Sequence, residues 1–410
     1  MIYIRNPEPS DFIFLEMPYY IPESFFIKKE VFFMSDHKLN MFTPSDDDMA
    51  CPFAEGEEVT AQKWMKIAMD LAMVGSPEDA VEAFDSGLEL EPENINLLRS
   101  KASVLSQFGK KDEAFAVYQK AIEIAPTDAT LLNGAGYALM ESGRLLESLE
   151  YFDKSISFNS DFPNPWLGKG IAYGELGKFE NAIEAYDKAV SLRPDYKEAH
   201  FGKAVALGSL GKYNEAVFEF DKALESDAEN PDVWYYKALA LDSLADPENA
   251  LSAYAKAVEL RPEFDDAWNN KGILHNAIGQ FEDALTCFIK ASEIDGEQVD
   301  VWFNRGYTHA LLSQFDDAAG CFREAIEIDS TFVPAYMEAA FVYVQTGFPD
   351  EAVKLYDKAI EIEPLAEAYF GKAIALQVLD EKEKAEEAFE MAFELDPRYK
   401  ELVDGQKEAI

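Results

Sequence analysis

The chain has 410 residues and a formal net charge of −42, from 78 acidic and 36 basic side chains. Phosphate backbones are held by clustered Lys and Arg, so this balance argues against a nucleic-acid partner. It leaves two readings, basic partners or a solubility device for a crowded or salty cytoplasm. Three cysteines, Cys51, Cys287 and Cys321, make no disulfide framework for a chain of this size and point to a reducing compartment.

Residues 1–60 come first, with twelve acidic and four basic side chains and acidic clusters at 46–48 and 55–58, which predicts a mostly flexible leader. Phe25, Phe26, Ile27, Val31, Phe32 and Phe33 are unusual in such a tail. Two readings stay open: the segment caps or lies against the chain from residue 61 onward, or translation begins at Met34 and residues 1–33 are no part of the natural chain. The apolar stretch 12–34 is interrupted by Pro18, Pro22, Glu16, Glu23 and the charged residues 28–30, so it does not read as a secretory leader. No run approaches the roughly 18 uncharged apolar residues that cross a bilayer, so no membrane insertion is expected and a cytoplasmic location is.

From residue 61 to 399 the chain repeats itself ten times, with copies starting at Ala61, Ile95, Ala129, Pro163, Lys197, Pro231, Asp265, Val299, Val333 and Ala366. All are 34 residues long except the ninth, which has 33. Counting places within a copy, place 24 is aromatic in all ten, place 8 is Gly or Ala, and all five Trp fall at place 4. At 100° per residue each half of a copy gathers its apolar places on one face, which predicts two amphipathic helices joined by a tight turn. Small residues at places 8, 20 and 27 let the helix axes approach, and bulky ones at 4, 11 and 24 fill the volume between layers. Pro at place 32 stops the second helix in six copies. Residues 400–410, polar but carrying Val403 and Ile410, are expected to form a short capping helix.

This spacing of Trp, Gly, Tyr, Ala, aromatic, Ala and Pro resembles the tetratricopeptide repeat (TPR), as found in long prokaryotic arrays. The resemblance implies an all-α fold, a right-handed superhelical solenoid of helix-turn-helix repeats. It further implies a concave surface that receives an extended peptide or a helix, lined by places 2, 5, 9, 12 and 13.

Among those places the chain carries Leu167, Phe201, Tyr235, Asn269, Phe303, Met337 and Phe370 at place 5, and Tyr137, Tyr307 and Phe341 at place 9. Glu198, Asp232, Asp266 and Asp300 hold place 2. An apolar floor with an acidic rim is expected to favour proteins or peptides that combine apolar anchors with Lys or Arg. The plainer alternative is that the aromatic residues pack against a neighbouring repeat and the acids suit helix N-termini. TPR co-chaperones that clamp a C-terminal carboxylate need Lys and Asn in one repeat, Asn in the next, and Lys and Arg in the third. Here Asn270 and Asn304 are flanked by Tyr235 and Leu239 before and by Pro334 and Glu338 after, so that clamp is not expected.

A second pattern runs between copies. Asp85, Asp153, Asp187, Asp221 and Asp357, all at place 25, are each followed one copy on by a place 7 lysine: Lys101, Lys169, Lys203, Lys237 and Lys372. Ion pairs from the second helix of one copy to the first helix of the next are predicted, with the lysine stems lying on core surface.

His275 and His309 share place 11, and Cys287 and Cys321 share place 23, but equivalent places are separated by a whole helix pair, too far for one metal ion. No phosphate-binding Gly-rich loop, His-Glu-x-x-His helix or Gly-x-Ser-x-Gly elbow occurs. No catalytic, cofactor or metal residue is therefore assigned. The sequence is read as a non-enzymatic protein-interaction scaffold, the alternative being an accessory subunit that presents substrates to an enzyme or secretion machinery on another chain.

Overall fold

A computed structural model describes residues 60–401 and 403. The expectations for the leader, for a start at Met34 and for Ile410 lie outside the described residues. Within them there are no strands, and twenty helices follow one another as α1 (Ala61–Met73), α2 (Pro77–Leu90), α3 (Ile95–Gln107), α4 (Lys111–Ile124), α5 (Ala129–Glu141), α6 (Leu145–Phe158), α7 (Pro163–Glu175), α8 (Phe179–Leu192), α9 (Lys197–Ser209) and α10 (Tyr213–Ser226), then α11 (Pro231–Ser243), α12 (Pro247–Leu260), α13 (Asp265–Ala277), α14 (Phe281–Ile294), α15 (Val299–Leu311), α16 (Phe315–Ile328), α17 (Val333–Gln345), α18 (Pro349–Ile362), α19 (Ala366–Val378) and α20 (Lys382–Leu395), before a last short helical stretch at 398–401. Two compact units divide between Ala240 and Leu241, inside α11. From α1 to α10 in one unit and from α12 to α20 in the other, each helix packs on its predecessor in the chain, and odd-numbered first helices also touch one another, as α5 does α7 and α15 does α17.

The helix boundaries follow from local chemistry. Thr60, Asn94 and Asp128 cap first helices by accepting backbone N–H bonds from Lys63, Leu97 and Leu131. Pro77, Pro247 and Pro349 open second helices, where a missing N–H costs nothing. Between the two helices the chain turns on one left-handed residue, usually glycine, but Ser313 takes the same place with φ 58°. Because a side chain is strained there, Ser313→Gly is expected to stabilise the unit from Leu241 by about 0.5 to 1 kcal/mol. Thermal denaturation checks it.

Place 24 rings sit at the core of each unit. Phe84, Phe152, Tyr186 and Phe220 in one unit, and Tyr254, Phe288 and Phe322 in the other, are fully buried. Several of these rings need bare backbone beside them. A Cβ added to Gly170 would lie 2.4 Å from the Tyr186 ring, and one added to Gly202, in the next repeat, 2.5 Å. Phe152 sits the same way between Gly136 and Gly168. One ring therefore joins its own first helix to that of the following copy, and stacking is written into the glycines as much as into the aromatics.

Place 4 departs from expectation. Trp166, Trp234, Trp268 and Trp302 are only partly buried. The last three have an outer edge that donates its indole N–H to a loop carbonyl, Ala228, Pro262 and Gly296 respectively. They brace the preceding loop rather than fill the layer, because an indole has a polar edge to satisfy and a phenyl ring has none.

The five predicted Asp–Lys pairs lie at 2.5 to 2.6 Å, each from a second helix to the next first helix. Lys169 and Lys237 also sit over the rings of Trp166 and Trp234. The aspartates are about half exposed, so water screens much of the attraction. Asp153→Asn is expected to cost less than about 1 kcal/mol in chemical denaturation, a register mark more than a brace.

Candidate functional site

The candidate surface is the face of the first helices. The structure corrects the reading of place 5 as an open floor: Leu167, Phe201, Tyr235, Asn269, Phe303 and Met337 are each less than a tenth exposed. The physical reason is that first helices of successive repeats come together, so a side chain at this place enters the seam. Phe201 lies edge-on to Tyr236 and 6.0 Å from Phe220, and Phe303 contacts Phe322 and Phe332. Phe370 is half-buried against Phe389 and Tyr399.

Place 9 stays partly open. Tyr137, Tyr307 and Phe341 are half-buried. Tyr137 crosses to the next repeat, its hydroxyl donating to the Asn164 carbonyl at 3.2 Å and its ring edge-on to Phe152. Tyr307 stacks on Phe303. At place 2, Glu198 is exposed, while Asp232, Asp266 and Asp300 are half-buried.

Burial acts on several acids of these helices. Burial pushes the Asp300 carboxyl up and the nearby Asp266 charge adds to it, against backbone N–H groups and the Asn269 amide, which lower it. Burial likewise raises Asp242, and burial alone carries Glu338 up to about 7. In the other unit burial raises Glu141, partly opposed by Lys111.

One charged constellation escaped the sequence reading. His200 Nδ1 lies 2.6 Å from Glu219 Oε2 and its Nε2 2.9 Å from the Pro194 carbonyl, and two acceptors facing both ring nitrogens favour the doubly protonated, cationic imidazole. Lys203 reaches Glu219 at 2.7 Å and Asp187 at 2.6 Å. The signal was there: His200 stands at place 4, where five copies carry Trp, and Glu219 at place 23, where the others are uncharged. The two substitutions fall in one copy and answer each other across α9 and α10.

Neither histidine at place 11 approaches a metal arrangement. His275 and His309 donate through Nδ1 to Gln280 and Gln314, both at 2.7 Å. Burial raises the Cys287 and Cys321 thiols to about 11, which makes them inert packing groups. Among the described residues no group of three or more His, Cys, Asp or Glu could hold a metal ion. None of their helices is long and apolar enough to cross a membrane.

Comparison with known proteins gives the family. The tetratricopeptide repeat sequence profile matches residues 65–129, 167–231, 206–263 and 338–399, and two related profiles of the same description match 299–332 and 253–286. No curated protein matches. Among solved structures, YrrB, described as a TPR protein with an unusual peptide-binding site, is 28% identical over 46% of this chain and 96% of its own, with a TM-score of 0.42. A tetratricopeptide repeat protein from Parabacteroides merdae is 20% identical over 59% of this chain and 97% of its own, with a TM-score of 0.45. The APC/C hetero-tetramer Cut9-Hcn1 gives 18% identity over 78% of this chain and 67% of that one, with a TM-score of 0.44. With the profile covering more than half the residues, and helices packed pair by pair in chain order within each unit, this chain belongs to the tetratricopeptide repeat family.

Proposed function

We propose that the chain is a non-enzymatic, cytoplasmic scaffold that binds peptide or helical segments of protein partners on the face of its first helices. The observation that carries this reading is the pairing, on one face, of half-buried aromatic side chains with half-buried carboxylates that burial drives toward protonation. Tyr307 and Phe341 stay half-buried on the helices that carry Asp300 and Glu338, whose charge burial disfavours. A partner bringing apolar anchors and Lys or Arg would satisfy both at once.

Photocrosslinking in native cells tests it. A photoreactive residue at Phe341, half-buried on α17, is compared with one at Phe218, 58% exposed on the second helix α10. Adducts are expected from position 341, with partner segments that place basic beside apolar residues. Adducts arising equally from position 218, or none from 341, would overturn the proposal.

A further inference from the structure

Two faces set α1 apart from the later first helices. In all nine copies that follow, places 3 and 10 are buried, and α2 is what covers Leu97 and Val104, the first such pair. In α1 the same places hold Lys63 and Asp70. The side that a preceding copy would cover is therefore already charged, and an apolar cap has nothing to grip there. The apolar surface of α1 lies elsewhere. Met65, Met69 and Met73, at places 5, 9 and 13, follow one another in steps of four along one edge of the helix. Met65 packs partly on the core shared with α2 and α3, whereas Met69 is 41% and Met73 60% exposed. The ridge ends with this helix: the same places read Arg99, Ser103 and Gln107 in the second copy, and Asn133, Tyr137 and Glu141 in the third.

A row of thioethers is an adaptable apolar surface that favours aromatic neighbours. We infer that Met65, Met69 and Met73 seat residues 25–34 of this same chain, Phe-Phe-Ile-Lys-Lys-Glu-Val-Phe-Phe-Met, which lie outside the described residues. Two features of the sequence select this occupant. Phe25 and Phe32, Phe26 and Phe33, and Ile27 and Met34 recur seven residues apart, the spacing at which two helical turns return to one side, so the run can offer a matching apolar edge. The run is also tethered, since only 25 residues separate Met34 from Thr60, the cap of α1. A linker of that length has a root-mean-square reach of about 25 to 30 Å, more than the ~20 Å length of a helix such as α1. It holds the run near the ridge at an effective concentration on the order of a millimolar, which an outside ligand would have to match. Lys28 and Lys29, between the two apolar triplets, give the run the combination of apolar anchors and basic groups expected of partners. That match rests on the scaffold reading; the seat itself stands on α1.

The full chain, made with a diazirine-bearing phenylalanine that inserts into whatever bond lies against it, tests this. The probe replaces Phe32 or, as a control nearer to α1 in sequence, Phe42. After irradiation the monomer is digested and the insertion sites are mapped by mass spectrometry. Insertion from position 32 is expected at Met65, Met69 or Met73, well above that from position 42, and is expected to be lost when Met69→Glu and Met73→Glu are combined. Both side chains are open to water, so the circular dichroism of that variant should match the wild type. Should it not, Phe25→Ser with Phe26→Ser, in the run itself, carries the same comparison. Insertion at Lys63 or Asp70, no insertion on α1, equal yields from positions 32 and 42, or insertion that survives both pairs of substitutions would overturn the seat. Crosslinks confined to dimers would overturn it too, because a second copy would then be the occupant. The scaffold reading fails separately: insertion on the ridge with no partner adducts at position 341 supports the seat and overturns that reading.

Discussion

Tyr186→Ala is expected to lower the stability of the unit ending at Ala240 by about 3 to 5 kcal/mol, the range for truncating a fully buried aromatic ring. Tyr186 is 0% exposed and wedged between Gly170 and Gly202, so its removal empties a cavity shared by two repeats rather than one. Neither glycine can fill the space, and helix axes set by the neighbouring copies cannot easily close on it. Tyr186→Phe should behave oppositely. The hydroxyl is buried without a partner, and burial alone would strongly disfavour its ionisation. Deleting it removes a desolvated polar group, so a neutral effect or a gain of up to about 1 kcal/mol is expected. Chemical denaturation followed through Trp166, in the same repeat, separates the two variants. Equal losses for Ala and Phe would show that the hydroxyl, not the ring, holds the layer.

Breaking the His200 constellation carries the second large effect. Glu219→Leu is expected to cost about 3 kcal/mol, the low end for a buried pair deprived of one partner, because Lys203 keeps its bond to Asp187. The cluster should also leave a pH signature. The Glu219 hydrogen bond holds His200 above its ordinary range even though burial opposes it, and the Pro194 carbonyl adds to the effect. For a group raised on folding, the stabilisation is complete below the unfolded value of about 6.5 and is lost as pH rises through the folded one. Glu219 has the opposite sign: burial works against its charge, but His200 and Lys203 together outweigh that and hold it low, so its contribution fades only in acid. Wild-type stability is therefore expected to decline as pH rises above about 6.5, and a His200→Phe variant to lose that slope in denaturation at a series of pH values. A slope unchanged in the variant would mean that His200 does not carry it.

The repeat itself could be read from the chain because period, ring and small residue recur at fixed spacing, and helical geometry turns spacing into faces. The Asp–Lys geometry was accessible for the same reason, since both partners keep their places from copy to copy. What could not be read was depth. Phe303 and Tyr307 stand four residues apart on one face of α15, yet Phe303 enters the seam toward Phe322 and Phe332 while Tyr307 remains half open. That difference depends on how closely the next first helix approaches, which no wheel drawn for one helix contains. His200 and Glu219 were missed for a related reason. Each is an exception to its own column, and exceptions carry meaning only when two columns are compared across a helix pair.

The central claim is that each repeat is held by its immediate neighbours through a shared ring. Hydrogen–deuterium exchange on the full chain, wild type against Tyr186→Ala, reads that directly. The account predicts that faster exchange concentrates in α7, α8 and α9, with α1 and α2 close to wild type, as nearest-neighbour coupling requires. Acceleration spread evenly from α1 to α10, or absent from α9, would contradict it.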